Sequence, residues 1–375
     1  MPTRLEQWGA RLLAGDLPPS PLTQAALGFL AGCAVLYGIG LEAYLGMERV
    51  CLRRRTRLPV PTVSIGNLTV GGTGKTPMTQ LLCRTLEAEG RRAAVLSRGH
   101  GGAGQSVRVV SDGQGTVLLA AEDAGDEPVL LARTLPQTPI LVGKDRRASG
   151  REALRRFALD ALVLDDGFQY WQLARNLDIV LLDARRPFDN GWPLPRGLLR
   201  EPKRHLRRAQ IVVVTRAQSL DGAARDTLRR EIARLAPDAE TYWARHAPQG
   251  FVPADSLADA QTPLNHLQGQ RIVALSGIAQ PASFARALAD DAGVQIARHL
   301  VFPDHARYGP KEMADAQATI KAEGASALVM TEKDAVKWPP GSVLSVPVYA
   351  LRTVMQVEDH ARWAAFVMGR LFGQL

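Results

Sequence analysis

Residues 69–77, Thr69-Val70-Gly71-Gly72-Thr73-Gly74-Lys75-Thr76-Pro77, carry side chains suited to holding a polyphosphate. They follow an apolar run at 60–65 and precede a helical pattern at 78–89. In a strand, glycine loop and helix of this kind, backbone N–H groups point at phosphate oxygens. Gly71, Gly72 and Gly74 allow close approach of the main chain, and Pro77 suits a first helical turn. Lys75 can reach β and γ phosphates, and the Thr76 hydroxyl can ligate Mg²⁺, so ATP and Mg²⁺ are the expected cofactors. Thr69 stands where the usual pattern has glycine. An ordinary Gly-rich turn is the competing reading, and the strand–helix setting favours the nucleotide.

Other charged groups stand at the ends of predicted elements. An apolar strand at 162–164 ends in Asp165-Asp166, where a phosphate-loop enzyme places a Mg²⁺-organising acid. Gly167-Phe168-Gln169 then turns the chain, and a plain strand-end turn is the alternative. Asp126 opens Asp126-Glu127-Pro128, which reads equally as a helix N-terminus or as a general base for a substrate hydroxyl. His305, in Phe302-Pro303-Asp304-His305, is either structural or a partner to such a base. Lys144 and Arg146 open a helix after a strand, and Arg200-Glu201-Pro202 lies in a Pro-, Gly- and Arg-rich loop at 187–205. Arginines of this kind can grip phosphate oxygens, and Glu201 is a candidate metal or water ligand. Thr331-Glu332-Lys333-Asp334 ends another strand and either caps a helix or lines a crevice.

These residues need a scaffold. Strands are expected at 60–65, 93–96, 140–142, 162–164, 179–182 and 211–215, alternating with helices at 78–89, 128–134, 146–158 and 222–235. That alternation predicts an α/β fold, a parallel phosphate-loop sheet with helices on both faces. A smaller C-terminal α/β unit has expected strands at 272–275, 328–331 and 348–351 and helices at 281–290, 311–323 and 359–372. The expected organisation is a membrane-associated segment at 1–57, a kinase domain at 58–247, a connector at 248–270 and the smaller domain at 271–375. Ligands in two-part proteins commonly lie between the parts.

The 375 residues are 46% hydrophobic and 22% charged, as in a globular protein. A net charge of +9 points to anionic partners. Aromatics are only 6% and the basic residues are dispersed, which disfavours nucleic acid. The three cysteines form no CxxC pair, so zinc is not expected and a reducing compartment fits. No charge occurs from Leu17 to Leu41, and Arg53, Arg54, Arg55 and Arg57 follow. A helix over 25–41 would be about 25 Å long, short of the roughly 30 Å bilayer core. It could span marginally, lie in one leaflet beside anionic lipid, or form a buried core helix.

Taken in order, GNLTVGGTGKTP, SRGHGG, GDEPVLLA, VGKDR, LDDGFQY, LREP, VVTRA, ALSGIAQP, FPDH and MTEKDAVK resemble the tetraacyldisaccharide 4'-kinase family of lipid A biosynthesis over nearly the whole chain. His100 replaces the usual aromatic of SRGYGG, and Asn176 stands where Asp is usual. The resemblance implies transfer of the ATP γ-phosphate to the 4'-hydroxyl of a tetraacylated glucosamine disaccharide 1-phosphate, giving lipid IVA. It implies a membrane-bound enzyme on the cytoplasmic face of the Gram-negative inner membrane, with no obligate protein partner. Under it, Asp126 is the base and His305 its partner. Lys75, within the loop Thr69, Val70, Gly71, Gly72, Thr73, Gly74 and Thr76, holds ATP. Thr76, Asp165, Asp166 and Glu201 are the metal candidates, and Lys144, Arg146, Gln169 and Arg200 line the substrate and phosphate site. The other readings are a phosphate-loop kinase or NTPase with a different acceptor, and a membrane-tethered nucleotide switch.

Overall fold

The first helix, α1 (Pro21–Val50), begins where Ser20 and Thr23 cap one another. The Ser20 N–H donates to Thr23 Oγ1 at 2.7 Å, and the Thr23 N–H to Ser20 Oγ at 3.2 Å. The computed structural model describes residues 20–50, 55–99, 106–258, 261–339 and 341–373, with Leu12 and Pro18. Arg53, Arg54, Cys51 and the His100-Gly101-Gly102 part of SRGHGG lie outside the described residues. At 30 residues α1 is about 45 Å long and outruns the apolar stretch. Leu22, Phe29 and Leu36, seven residues apart, are exposed, whereas Ala34 and Leu45 on the other side are buried. Among the described residues this is one helix long and apolar enough to cross a membrane.

The body is built on β1 (Thr62–Asn67), α2 (Lys75–Ala88), β2 (Ala93–Ser97), β3 (Arg108–Asp112), α3 (Asp126–Thr134), β4 (Pro139–Val142), α4 (Arg146–Arg156), β5 (Ala161–Asp165), β6 (Leu177–Asp183), β7 (Ile211–Thr215) and α5 (Gly222–Leu235). Every residue of β1, β2, β4, β5 and β7 is buried. Helices cover both faces of a parallel sheet, so its strands read as continuous apolar runs. β8 (Glu240–Pro253), β9 (Thr262–Pro263), β10 (Arg271–Ser276), β11 (Gln295–Val301), α6 (Pro310–Glu323), β12 (Ala327–Thr331), α7 (Glu332–Ala335), β13 (Val348–Val357) and α8 (His360–Phe372) complete the fold. The strands form one sheet in the order β11-β10-β12-β13-β8-β7-β6-β1-β5-β2-β4-β3, with β9 on β8.

β8 holds the two parts in one sheet. Its first residues pair parallel with β7, Ile211 opposite Glu240, and its remainder pairs antiparallel with β13, from Val357 opposite Ala244 to Tyr349 opposite Pro253. The stretch expected to be a connector, 248–270, therefore starts inside a strand. Pro248 and the charged residues hide β8 from a sequence pattern. Pro248 is tolerated because it sits at a register shift between Arg352 and Thr353, where the ladder is already broken. β3 and β11 were also not expected; neither is uniformly buried, and β3 is an antiparallel edge strand. Asn176 serves the backbone, its Oδ1 accepting from the Thr62 N–H at 3.0 Å at the start of β1.

β1 lies between β5 and β6 and runs parallel to both. The C-terminal ends of β1, β2, β5, β6 and β7 therefore share one edge of the sheet. Ligands of open α/β sheets bind at that edge, beside strands whose connections diverge.

Candidate active site

The loop from Leu68 to Gly74 is held from several sides. Val70 donates its N–H to Leu198 O at 2.8 Å, and Thr69 bridges to Leu199. The Thr215 hydroxyl at the end of β7 donates to Thr73 O at 3.0 Å, and Arg216, paired with Asp183 at 2.8 Å, donates to Gly72 O at 3.2 Å. Asn67 Nδ2 donates to Thr73 Oγ1 at 3.0 Å. Gly71 and Gly74 have φ of 120° and 96°, a region that favours glycine. At Gly74 a Cβ would also lie 2.5 Å from His246 Nε2, so this position has neither the conformation nor the room for a side chain. α2 starts at once with Lys75 and Thr76, and its N-terminal N–H groups face the loop.

Lys75 Nζ lies 3.6 Å from Asp166 Oδ1 and 3.5 Å from Asn67 Oδ1. Arg200 Nη1 donates to both oxygens of Asp166 at 3.0 Å and approaches Gln169 Oε1 at 3.5 Å. Gln169 Nε2 donates to Asn67 O at 2.9 Å, tying this cluster back to the end of β1. Burial works against the Asp166 charge, but Lys75 and Arg200 outweigh it and hold the carboxyl below its usual range. Asp166 has a φ of 51°, a strained value for a non-glycine residue.

Asp165 is its opposite. It is 1% exposed, and only hydroxyls contact it, Thr79 at 3.2 Å and Ser97 at 3.3 Å. Burial, with Glu127 and Asp166 nearby, pushes its carboxyl up to about 7. A buried carboxylate held only by hydroxyls, with the neighbouring Asp166, offers hard oxygen donors of the kind that suit Mg²⁺. Arg146 is buried with its guanidinium 5.0 Å over the Tyr170 ring, and its Nε has no protein partner. Burial lowers its basicity, and Arg98, Asp166 and Asp165 all lie near enough to act on it, which places it at the same site. Lys144 is exposed on the turn before α4.

Asp126 is the first residue of α3, preceded by Gly125 with a φ of 93°. Gly125 is the N-cap residue, so no side chain caps this helix there. Asp126 Oδ2 lies 3.0 Å from His305 Nδ1, a residue 179 positions away. His305 follows β11 in a turn with a φ of 61°, another strained conformation, stabilised by its own N–H donating to Asp304 Oδ1 at 3.0 Å. Lys333 Nζ pairs with Asp304 at 2.8 Å and comes within 3.5 Å of His305 Nε2. A lysine proton on Nε2 leaves the proton on Nδ1, directed at Asp126. The contact that sequence could not establish is therefore present. Among the described residues no hydrogen bond or ion pair engages Asp126 Oδ1, and the side chain is 14% exposed.

Glu201 is paired within its own loop. It is 1% exposed, with Oε2 2.7 Å from His205 Nδ1 and 2.5 Å from Arg208 Nη2. His205 Nε2 in turn meets Glu42 of α1 at 2.8 Å. Glu201 Oε2 thus helps to fasten α1 to the loop before β7, while Oε1 is buried without a hydrogen-bond partner among the described residues. Among the described residues no three His, Cys, Asp or Glu side chains gather as a metal group. Asn67, Thr215, Arg216 and Lys337 were not expected at the site. All four stand within GNLTV, VVTRA and MTEKDAVK, so their motifs were visible while their direction was not.

Known proteins resemble this chain along most of its length. A family model described as tetraacyldisaccharide-1-P 4'-kinase matches residues 27–371. A tetraacyldisaccharide 4'-kinase of Anaeromyxobacter sp. (strain Fw109-5) is 43% identical, covering 94% of this chain and 92% of its own. One from Syntrophus aciditrophicus is 42% identical over 84% of this chain and 86% of its own. The crystal structure of LpxK from Aquifex aeolicus in complex with ATP superposes with a TM-score of 0.74 at 26% identity, covering 92% of this chain and 100% of that one. With its phosphate loop, its paired aspartates and this match along almost its full length, the chain belongs to the tetraacyldisaccharide 4'-kinase family.

Proposed function

We propose that this chain transfers the γ-phosphoryl group of ATP to the 4'-hydroxyl of a tetraacylated glucosamine disaccharide 1-phosphate, giving lipid IVA. The observation that carries the reading is the Asp126–His305 pair at 3.0 Å, with Glu127, next in the chain, close enough to act on Asp165 beside the phosphate loop. In this reading the N–H groups of residues 71–76 and Lys75 hold the triphosphate. Thr76, Asp165 and Asp166 would hold Mg²⁺, which when bound supplies charge neutralisation on the phosphate oxygens. Asp126 Oδ1 takes the proton of the acceptor hydroxyl as its oxygen bonds to the γ-phosphorus and the bond to the β–γ bridging oxygen breaks, releasing ADP. His305 Nδ1–H keeps the carboxylate oriented. Arg146, Arg200 and Gln169, with Lys144 at the rim, line the phosphate and substrate side. The kinase body is 58–247 and the smaller unit 271–375. Full-length protein given ATP, Mg²⁺ and the acceptor in detergent micelles should raise the lipid mass by one phosphoryl group. An unchanged lipid mass, or equal ADP release without the acceptor, would overturn the reading.

The same reading places α1 on the membrane. Arg196 reaches Leu27 O at 3.3 Å, Tyr37 OH donates to Arg200 O at 2.8 Å, and Glu42 meets Arg204 at 2.5 Å. These contacts run along one side of the helix. They lay it against the protein and leave Leu22, Phe29, Leu36 and Ile39 outward at 70, 73, 70 and 61% exposure. We place that face in one leaflet of an anionic, cytoplasm-facing membrane, near the lipid acceptor. Changing all four to Ser should weaken co-sedimentation with anionic phospholipid vesicles by at least about a hundredfold, since burying each side chain stabilises by roughly 1.5–3 kcal/mol. Undiminished binding would move the membrane contact elsewhere.

A further inference from the structure

The motif Met330-Thr331-Glu332-Lys333-Asp334-Ala335-Val336-Lys337 contributes more than Lys333 to the site. Thr331 caps the short helix α7, and Lys337 follows one turn later, its N–H donating to Asp334 O at 3.0 Å. The Lys337 side chain is 5% exposed, a buried ammonium. It lies 3.2 Å from Asp334 Oδ1 and 3.8 Å from Asp126 Oδ2, and 5.4 Å from the centre of the Tyr308 ring.

Asp334 alone does not account for this cation. It is fully buried, and neutral donors already surround it. The Gly277 N–H donates to Oδ2 at 3.0 Å, the Thr331 hydroxyl to Oδ2 at 2.6 Å, and the Tyr308 hydroxyl to Oδ1 at 2.8 Å. Lys337 Nζ is within ion-pair distance of Asp334, yet no contact of hydrogen-bond geometry satisfies it. Its charge is therefore shared with the other carboxylate in reach, Asp126. Lys337 and His305 approach the same oxygen of Asp126, Oδ2. Two positive or donor groups on Oδ2 fix the carboxylate plane and leave Oδ1 for the acceptor hydroxyl. Asp334 in turn is anchored to the ends of β10 and β12, so the orientation of a residue on α3 is set by the C-terminal part of the sheet.

We propose that Lys337 is a positioning residue for Asp126, holding the carboxylate in the direction the transfer needs. The inference rests on Asp126 being the base. It is tested by a double-mutant cycle in the full-length protein, with ATP, Mg²⁺ and the tetraacylated disaccharide 1-phosphate in detergent micelles. Lys337→Met should lower kcat by between about tenfold and a hundredfold with an unchanged KM for ATP, the cost of a misdirected group. Lys337→Arg, which keeps the charge, should recover most of that loss. In an Asp126→Asn background, Lys337→Met should cost less than about twofold, because there is no carboxylate left to direct. The same cycle with Lys337→Gln, which keeps a polar head, applies if the Met variant does not fold. An equal fold-loss in both backgrounds, a loss in KM alone, or an unchanged kcat would each overturn the role of Lys337. A fully active Asp126→Asn protein would instead overturn the base itself.

Discussion

Lys75→Ala is expected to lower kcat/KM by about a thousandfold or more, the scale seen when a charge-stabilising donor is taken from a transition state. The loop would still fold around it. Val70, Thr73 and Gly72 are held by Leu198, Thr215 and Arg216, none of which depends on Lys75. Asp166 would keep Arg200 at 3.0 Å. The local charge would change, since Lys75 is among the groups drawing the Asp165 and Asp166 carboxyls down. Without it both carboxyls rise, Asp165 from about 7, and the site becomes less able to present oxygen anions to a cation at neutral pH. The loss should therefore deepen as pH falls from 8 to 6 (about two units across that starting value), since protonation then removes the Asp165 carboxylate as a donor. Turnover measured at saturating lipid and across that range decides the matter. Near-normal activity would exclude Lys75 from phosphoryl transfer.

Asp126→Asn is expected to reduce kcat by about a hundredfold to ten-thousandfold, the usual contribution of a positioned base, with the KM for ATP changed less than about twofold. The substitution is close to isosteric. An asparagine carbonyl still accepts from His305 Nδ1, and Lys337 keeps Asp334 at 3.2 Å, so the fold is preserved. What is lost is the capacity to take a proton from the sugar hydroxyl. A collapse of ATP affinity at constant kcat would mean that Asp126 belongs to the nucleotide site and not to the acceptor side.

The parts of this molecule legible in sequence are those decided locally. A glycine-rich loop between an apolar strand and a helix has one economical geometry, and residues 69–76 adopt it. Buried parallel strands carry continuous apolar runs, which is why β1, β2, β4, β5 and β7 stood out. β8 did not, because a proline at a bulge and charged residues break the pattern that the eye follows. Glu201 looked like a ligand from its neighbours in the chain. His205 and Arg208, four and seven residues on, meet one of its oxygens once the loop coils back and leave the other without a partner among the described residues.

Sequence by itself determined the phosphate loop, the two acids at the end of β5, the apolar stretch of α1 and the family. Only the tertiary structure decided which acid is charged and which is starved of a counter-charge, and that Asp126 meets His305 and Lys337. The reason is that charge, burial and hydrogen bonding act through space. A carboxylate's neighbours along the chain say little about the dielectric around it or about a partner that arrives from another strand.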